Sequence, residues 1–132
     1  MMEAAHDLPV LRVLVVEDEF LVSMLIEEMC ADLGHEVVGP AATLEEGLAL
    51  CETAEFEVAL VDMNLGGVKA DPILAELHER SIPFAIASGG GDGSQDGRAT
   101  AVLGKPFVYP QLAQCLEKLA SHLPTNGSAS VA

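Results

Sequence analysis

LRVLVVEDE, residues 11–19, carries the reading of the fold. Val13, Leu14, Val15 and Val16 are apolar without alternation, and the run stops on Glu17, Asp18 and Glu19. A strand with no polar face suits a parallel sheet covered on both sides. Similar short runs recur at Glu36–Gly39, Val58–Val61, Phe84–Ala87 and Ala101–Leu103. Longer segments of helical period separate them. Val22, Leu25, Ile26, Met29 and Leu33 form one stripe, and Gly34 supplies a left-handed stop. Thr43 and Glu46 read as a capping box ahead of Leu44, Leu48 and Cys51. Asp71 caps a helix with Pro72 in its first turn and Ile73, Leu74 and Leu77 on its stripe. Tyr109-Pro110 starts a last helix bearing Leu112, Leu116, Leu119 and Leu123. Strands and helices in alternation predict an α/β domain with right-handed crossovers.

One interval breaks the alternation. Residues 89–97 read GGGDGSQDG, and five of these nine are glycine. A helix there would carry about 5 kcal/mol of propensity penalty, so a flexible loop or a very short turn is predicted. The fourth crossover helix is then short or absent.

The 132 residues have room for one domain, placed at 10–123, with a flexible N-terminus at 1–9 and a disordered tail at 124–132. Lys and Arg total 6 against 21 acids, a formal net charge of −15, and the bases are scattered singly. No cluster exists to displace counterions from phosphates, which argues against nucleic acid as a partner. An anionic chain is likewise repelled by anionic membranes. No apolar stretch approaches the ~20 residues of a membrane helix, and the first residues carry acids where a secretory signal needs bases. Cys30, Cys51 and Cys115 have no metal-ligand spacing and lie in apolar helical patterns, as buried free thiols of a reducing cytoplasm do. His6, His35, His78 and His122 read as surface or turn residues.

The chemistry lies just after the strands. Glu17 and Asp18 end the first, Asp62 the third, Ser88 the fourth, and Lys105 follows the fifth. In a parallel sheet these side chains gather outside the carboxyl ends of the strands, where sites form. Two carboxylates about 5 Å apart repel by roughly 3 kcal/mol at an effective dielectric near 20, so three in one crevice call for a cation or protons. Mg²⁺ suits oxygen ligands completed by phosphate oxygens. The metal would leave a carboxylate oxygen free to attack phosphorus, while Lys105 and Ser88 would hold phosphoryl oxygens. Gly89 leaves the approach open.

At this point the sequence resembles the receiver domain of two-component response regulators. The similarity runs from about Val10 to His122 and is carried by LRVLVVEDE at 11–19, EVALVDMNL at 57–65, IPFAIASGG at 82–90 and VLGKPF at 102–107. The resemblance implies a flavodoxin-like, doubly wound sheet of five parallel strands in order 2-1-3-4-5. It implies Asp62 as phosphoacceptor, Glu17 and Asp18 as the acidic pair holding Mg²⁺, and the Asn64 main-chain carbonyl as a further ligand. Ser88 and Lys105 would be the active-site hydroxyl and lysine. The chain departs from the common pattern at Val102, where an aromatic residue is usual, at Leu65-Gly66 in place of Met-Pro, and in the glycine run. These departures resemble a single-domain bacterial subgroup with Phe-Ala-Thr-Gly-Tyr or Phe-Ala-Thr-Gly-Trp at the fourth strand, where this chain reads Ile86-Ala87-Ser88-Gly89-Gly90.

The function implied is a stand-alone receiver. It would take a phosphoryl group from phosphohistidine of a sensor histidine kinase or histidine phosphotransfer protein and act on an unknown downstream protein, as an acceptor rather than an enzyme. Phosphorylation would draw Ser88 and Lys105 inward and order the loop 89–98. Two alternatives stand beside it. One is a receiver-like binding module that is never phosphorylated. The other is a phosphatase similar to the haloacid-dehalogenase group, which Asp62-Met63-Asn64 mimics weakly, although Glu117 alone among acids follows Lys105.

Overall fold

The computed structural model describes residues 10–89 and 96–123. β1 (Arg12–Val16), β2 (Glu36–Ala41), β3 (Val58–Asp62), β6 (Phe84–Ser88) and β7 (Ala101–Gly104) form one sheet in the order β2-β1-β3-β6-β7. Every pairing in it is parallel. The helices are α1 (Phe20–Asp32), α2 (Leu44–Thr53), α3 (Asp71–Glu79) and α4 (Tyr109–Ser121). This is the doubly wound flavodoxin-like arrangement, and its five strands coincide with the five apolar runs. No helix occurs between β6 and β7 among the described residues. Residues 90–95, which hold most of the glycine run, lie outside them, as do the termini 1–9 and 124–132.

The continuous apolar runs have a direct packing cause. Val13 and Val15 face a core shared with Ile26, Met29 and Cys30 of α1 and Leu112, Leu116 and Leu119 of α4. Leu14 and Val16 face the opposite core, with Cys51 of α2 and Ile73, Leu74 and Leu77 of α3. Both faces are dry, so neither set of alternate residues can be polar. The three cysteines are free and buried. Burial pushes the Cys30 and Cys115 thiols up to about 11 and raises that of Cys51, which keeps them protonated.

The helices depart from expectation in detail. On α1 the buried residues are Ser23, Ile26, Met29 and Cys30, while Leu25 of the anticipated stripe is 44% exposed. Ser23 tolerates burial because its hydroxyl donates to Phe20 O at 3.0 Å. In the α2 box, Thr43 Oγ1 accepts from Glu46 N as foreseen, but Glu46 Oε1 accepts from Ala42 N, one residue before the cap. α3 begins one residue early, with Ala70 as its cap. Asp71 is therefore the first helical residue, and its carboxylate lies 3.7 Å from the Arg98 guanidinium. His35 is half-buried, its Nδ1 accepting the Leu11 N–H at 3.0 Å.

A second, two-stranded sheet lies directly beyond β3 and was not anticipated. β4 (Asn64–Leu65) and β5 (Val68–Lys69) pair antiparallel. Gly66 (φ 61°) and Gly67 (φ 91°) close the hairpin in the left-handed region, where a two-residue turn of matching twist needs glycine.

Candidate functional site

The strand ends converge as a parallel sheet requires. Glu17 follows β1, and its N–H donates to Ala41 O at 2.9 Å, which ties it to the end of β2. Glu17 is 3% exposed. Asp62 closes β3, is buried, and takes the Asn64 N–H on Oδ1 at 3.2 Å. Carboxylate oxygens of Glu17, Asp18 and Asp62 all lie within 4.8 Å of one another. Lys105, whose N–H donates to Ser88 O at 2.9 Å, extends its ammonium into this group. Its Nζ is 3.2 Å from Glu17 Oε1 and 3.2 Å from Asp62 Oδ2.

Electrostatics follow from this crowding. Burial raises the Glu17 carboxyl to about 7, with the neighbouring Asp62 charge adding to the effect. The Glu19 N–H and the Lys105 ammonium pull in the other direction. For Lys105, burial works to lower the ammonium, but Glu17 and Asp62 outweigh it and hold the pKa above the ordinary lysine range.

An open cleft of about 320 Å³ stands over these groups, lined by Asp18, Glu19, Asp62, Asn64, Gly66, Gly67, Gly89 and Lys105. The hairpin forms one wall, close enough that a Cβ on Gly66 would sit 3.7 Å from Asp18 Oδ2. Asn64 caps the turn through Oδ1, which accepts from Gly67 N at 2.8 Å. Ser88 is buried at the end of β6, paired in register with Gly104, so its backbone fixes the start of the lysine loop. The anticipated set Glu17, Asp18, Asp62, Asn64, Ser88 and Lys105 therefore occupies one edge of the sheet. Glu117 instead lines a small cavity with Leu11 and His35, beside the start of β1, and adds no acid to the cluster.

The family model for the response regulator receiver domain matches residues 13–117. The chain belongs to this family. The receiver is 37% identical to SdrG from Sphingomonas melonis Fr1, whose solution structure superposes with a TM-score of 0.74 over 89% of this chain and 98% of that one. The response regulator PhyR from Brucella abortus is 28% identical, with a TM-score of 0.80 over 96% of this chain and 53% of its own. PdtaR of Mycobacterium tuberculosis, a transcriptional regulatory protein, is 30% identical over 116 residues, 83% of this chain. The receiver spans 57% of the length of PdtaR. Among the described residues no helix is long and apolar enough to cross a membrane.

Two features of the receiver's cleft escaped the sequence reading. The Gly66-Gly67 pair between Leu65 and Val68 is a two-residue hairpin signal that could have been used. Glu19 had no such signal, yet its Oε1 lies 3.4 Å from Lys105 Nζ.

Proposed function

We propose that this receiver accepts a phosphoryl group on Asp62 from a phosphohistidine of a sensor histidine kinase or phosphotransfer protein, in a Mg²⁺-dependent step, and signals by altered contacts with a downstream protein. The observation that carries the reading is the placement of Asp62, which shares a crevice with two further carboxylates and a lysine and borders an open cleft. Glu17, Asp18 and Asp62, with the Asn64 carbonyl, are the oxygen donors that would hold the ion. All-oxygen donors of net negative charge suit a hard dication. When bound, Mg²⁺ offsets carboxylate repulsion and neutralises charge on the transferring group.

The chain's own residues supply the rest. A carboxylate oxygen of Asp62 forms a bond to phosphorus as the P–N bond to imidazole breaks, and the bonding pair returns to the ring nitrogen. Lys105, already 3.2 Å from Asp62 Oδ2, transfers its hydrogen bond to a phosphoryl oxygen. The Ser88 hydroxyl donates to another. Hydrolysis reverses the charge change: a water oxygen bonds to phosphorus, the acyl P–O bond breaks, and the Asp62 carboxylate is regained with release of phosphate. Asp62 is thus consumed and regenerated as an acceptor, with no second substrate turned over. The acyl phosphate adds roughly one negative charge at a point where Lys105 is the nearest cation.

Incubation with acetyl phosphate and Mg²⁺, followed by intact mass measurement, tests the reading. The expected result is one added phosphoryl group, absent in Asp62→Asn and absent with chelator. No addition, or addition that persists in Asp62→Asn, would defeat it.

A further inference from the structure

We infer that Glu19 is a positioning residue that draws the Lys105 ammonium toward the mouth of the cleft and so slows phosphorylation of Asp62. The inference rests on the phosphoacceptor reading above. Lys105 has three N–H donors and four carboxylate oxygens around them. Nζ is 3.2 and 3.5 Å from the two oxygens of Glu17, 3.2 Å from Asp62 Oδ2 and 3.4 Å from Glu19 Oε1. Glu17 and Asp62 are buried, whereas the Glu19 side chain is 63% exposed. Glu19 therefore pulls from the solvent side, against the two deep acids.

The backbone of Glu19 is held in place. Its N–H donates to Glu17 Oε2 at 3.0 Å, and its carbonyl accepts from Ser23 N at 3.0 Å. Glu19 occupies the cap position of α1 but makes no side-chain capping bond. Its carboxylate meets Lys105 instead of the N–H groups of the first helical turn. This choice of partner has a consequence for transfer. As the phosphoryl group arrives, the ammonium must follow its hydrogen bond from Asp62 Oδ2 to a phosphoryl oxygen, and the contact with Glu19 on the solvent side opposes that movement. The contact also depends on reach, because the γ-carbon is what brings the Glu19 carboxylate from the start of α1 to Nζ.

Reach and charge can be separated. Glu19→Gln removes the charge, and Glu19→Asp keeps the charge but shortens the side chain by one methylene. The rate of phosphoryl addition from acetyl phosphate with Mg²⁺ is followed by intact mass for the native protein and both variants, with Tm recorded for each. Both variants are expected to be phosphorylated faster, by about two- to fivefold, the range of an exposed ion pair. The acceleration is expected without a matching change in Tm. If only Glu19→Gln is faster, the effect is general repulsion of an anionic donor and the lysine-positioning role is wrong. If neither is faster, the role is likewise wrong. If the native protein itself gains no phosphoryl group, the phosphoacceptor reading fails and takes this inference with it.

Discussion

Lys105 Nζ and Asp62 Oδ2 lie 3.2 Å apart, joined across 43 residues of chain by the parallel alignment of β3, β6 and β7. The same ammonium is the nearest counter-charge to buried Glu17. Replacing Lys105 by Met leaves two buried carboxylates with no cation between them. The metal-free Lys105→Met protein is expected to lose about 1–2 kcal/mol at pH 8, the scale of a charged hydrogen bond removed from a partly buried group. Urea unfolding with chelator present measures it. The loss stays modest because Glu17 can take up a proton in place of the missing partner.

That proton gives the site a pH dependence. The Glu17 carboxyl stands at about 7 in the folded protein, raised by burial, against 4.5 as its ordinary value. The folded state thus holds the proton more tightly than the unfolded chain. Stability from this group is present below about pH 4.5 and is lost as pH rises through 7. Glu17→Gln removes the cost of the buried charge. Without metal, the variant is expected to be more stable than native by about 1–3 kcal/mol at pH 8, with the difference closing by pH 5. Denaturant midpoints at the two pH values decide the sign.

What the sequence made legible, and what it did not, divides along physical lines. Glu17, Asp18, Asp62, Ser88 and Lys105 each follow an apolar run, and a parallel sheet sends every such end to one edge, so their meeting needed no side-chain detail. The buried face of α1 was harder to read. Phe20, Leu21, Met24 and Leu25 are exposed apolar residues on the same helix as buried Ile26 and Met29, so apolar spacing alone could not choose the face. The hairpin strands β4 and β5 are two residues long, too short to show a period. The contact of Glu19 with Lys105 depends on side-chain direction, which position along the chain does not encode.

Metal binding should report on the same carboxylates. An ion that binds only the folded protein adds roughly 2.7 kcal/mol at a hundred times its Kd, so Tm is expected to rise with Mg²⁺ and fall back with chelator. Asp18→Asn is expected to flatten that response. Because Glu17 must release its proton to act as a ligand, apparent Mg²⁺ affinity is expected to increase from pH 6 to pH 8. Titration calorimetry at the two pH values checks the direction, and a pH-independent affinity would remove Glu17 from the ligand set.

Away from the cleft, Gly47 controls how closely α2 approaches α3. It is buried, and a Cβ built there would lie 2.6 Å from Ile73 Cδ1 and 3.4 Å from Val16 Cγ2. Alanine favours a helix interior over glycine by about 1 kcal/mol, but here the added methyl meets packed atoms. Overpacking of this kind costs about 1–3 kcal/mol, so Gly47→Ala is expected to be net destabilising by about 1 kcal/mol. The clash is with one methyl group at the end of Ile73. Ile73→Val deletes that methyl and by itself is expected to cost about 0.5–1.5 kcal/mol. In combination the two changes should cost less than their sum, because the new methyl fills the space the old one left. A double-mutant cycle by urea unfolding measures the coupling, and strict additivity would mean that Val16, the residue just before Glu17, bears the clash instead.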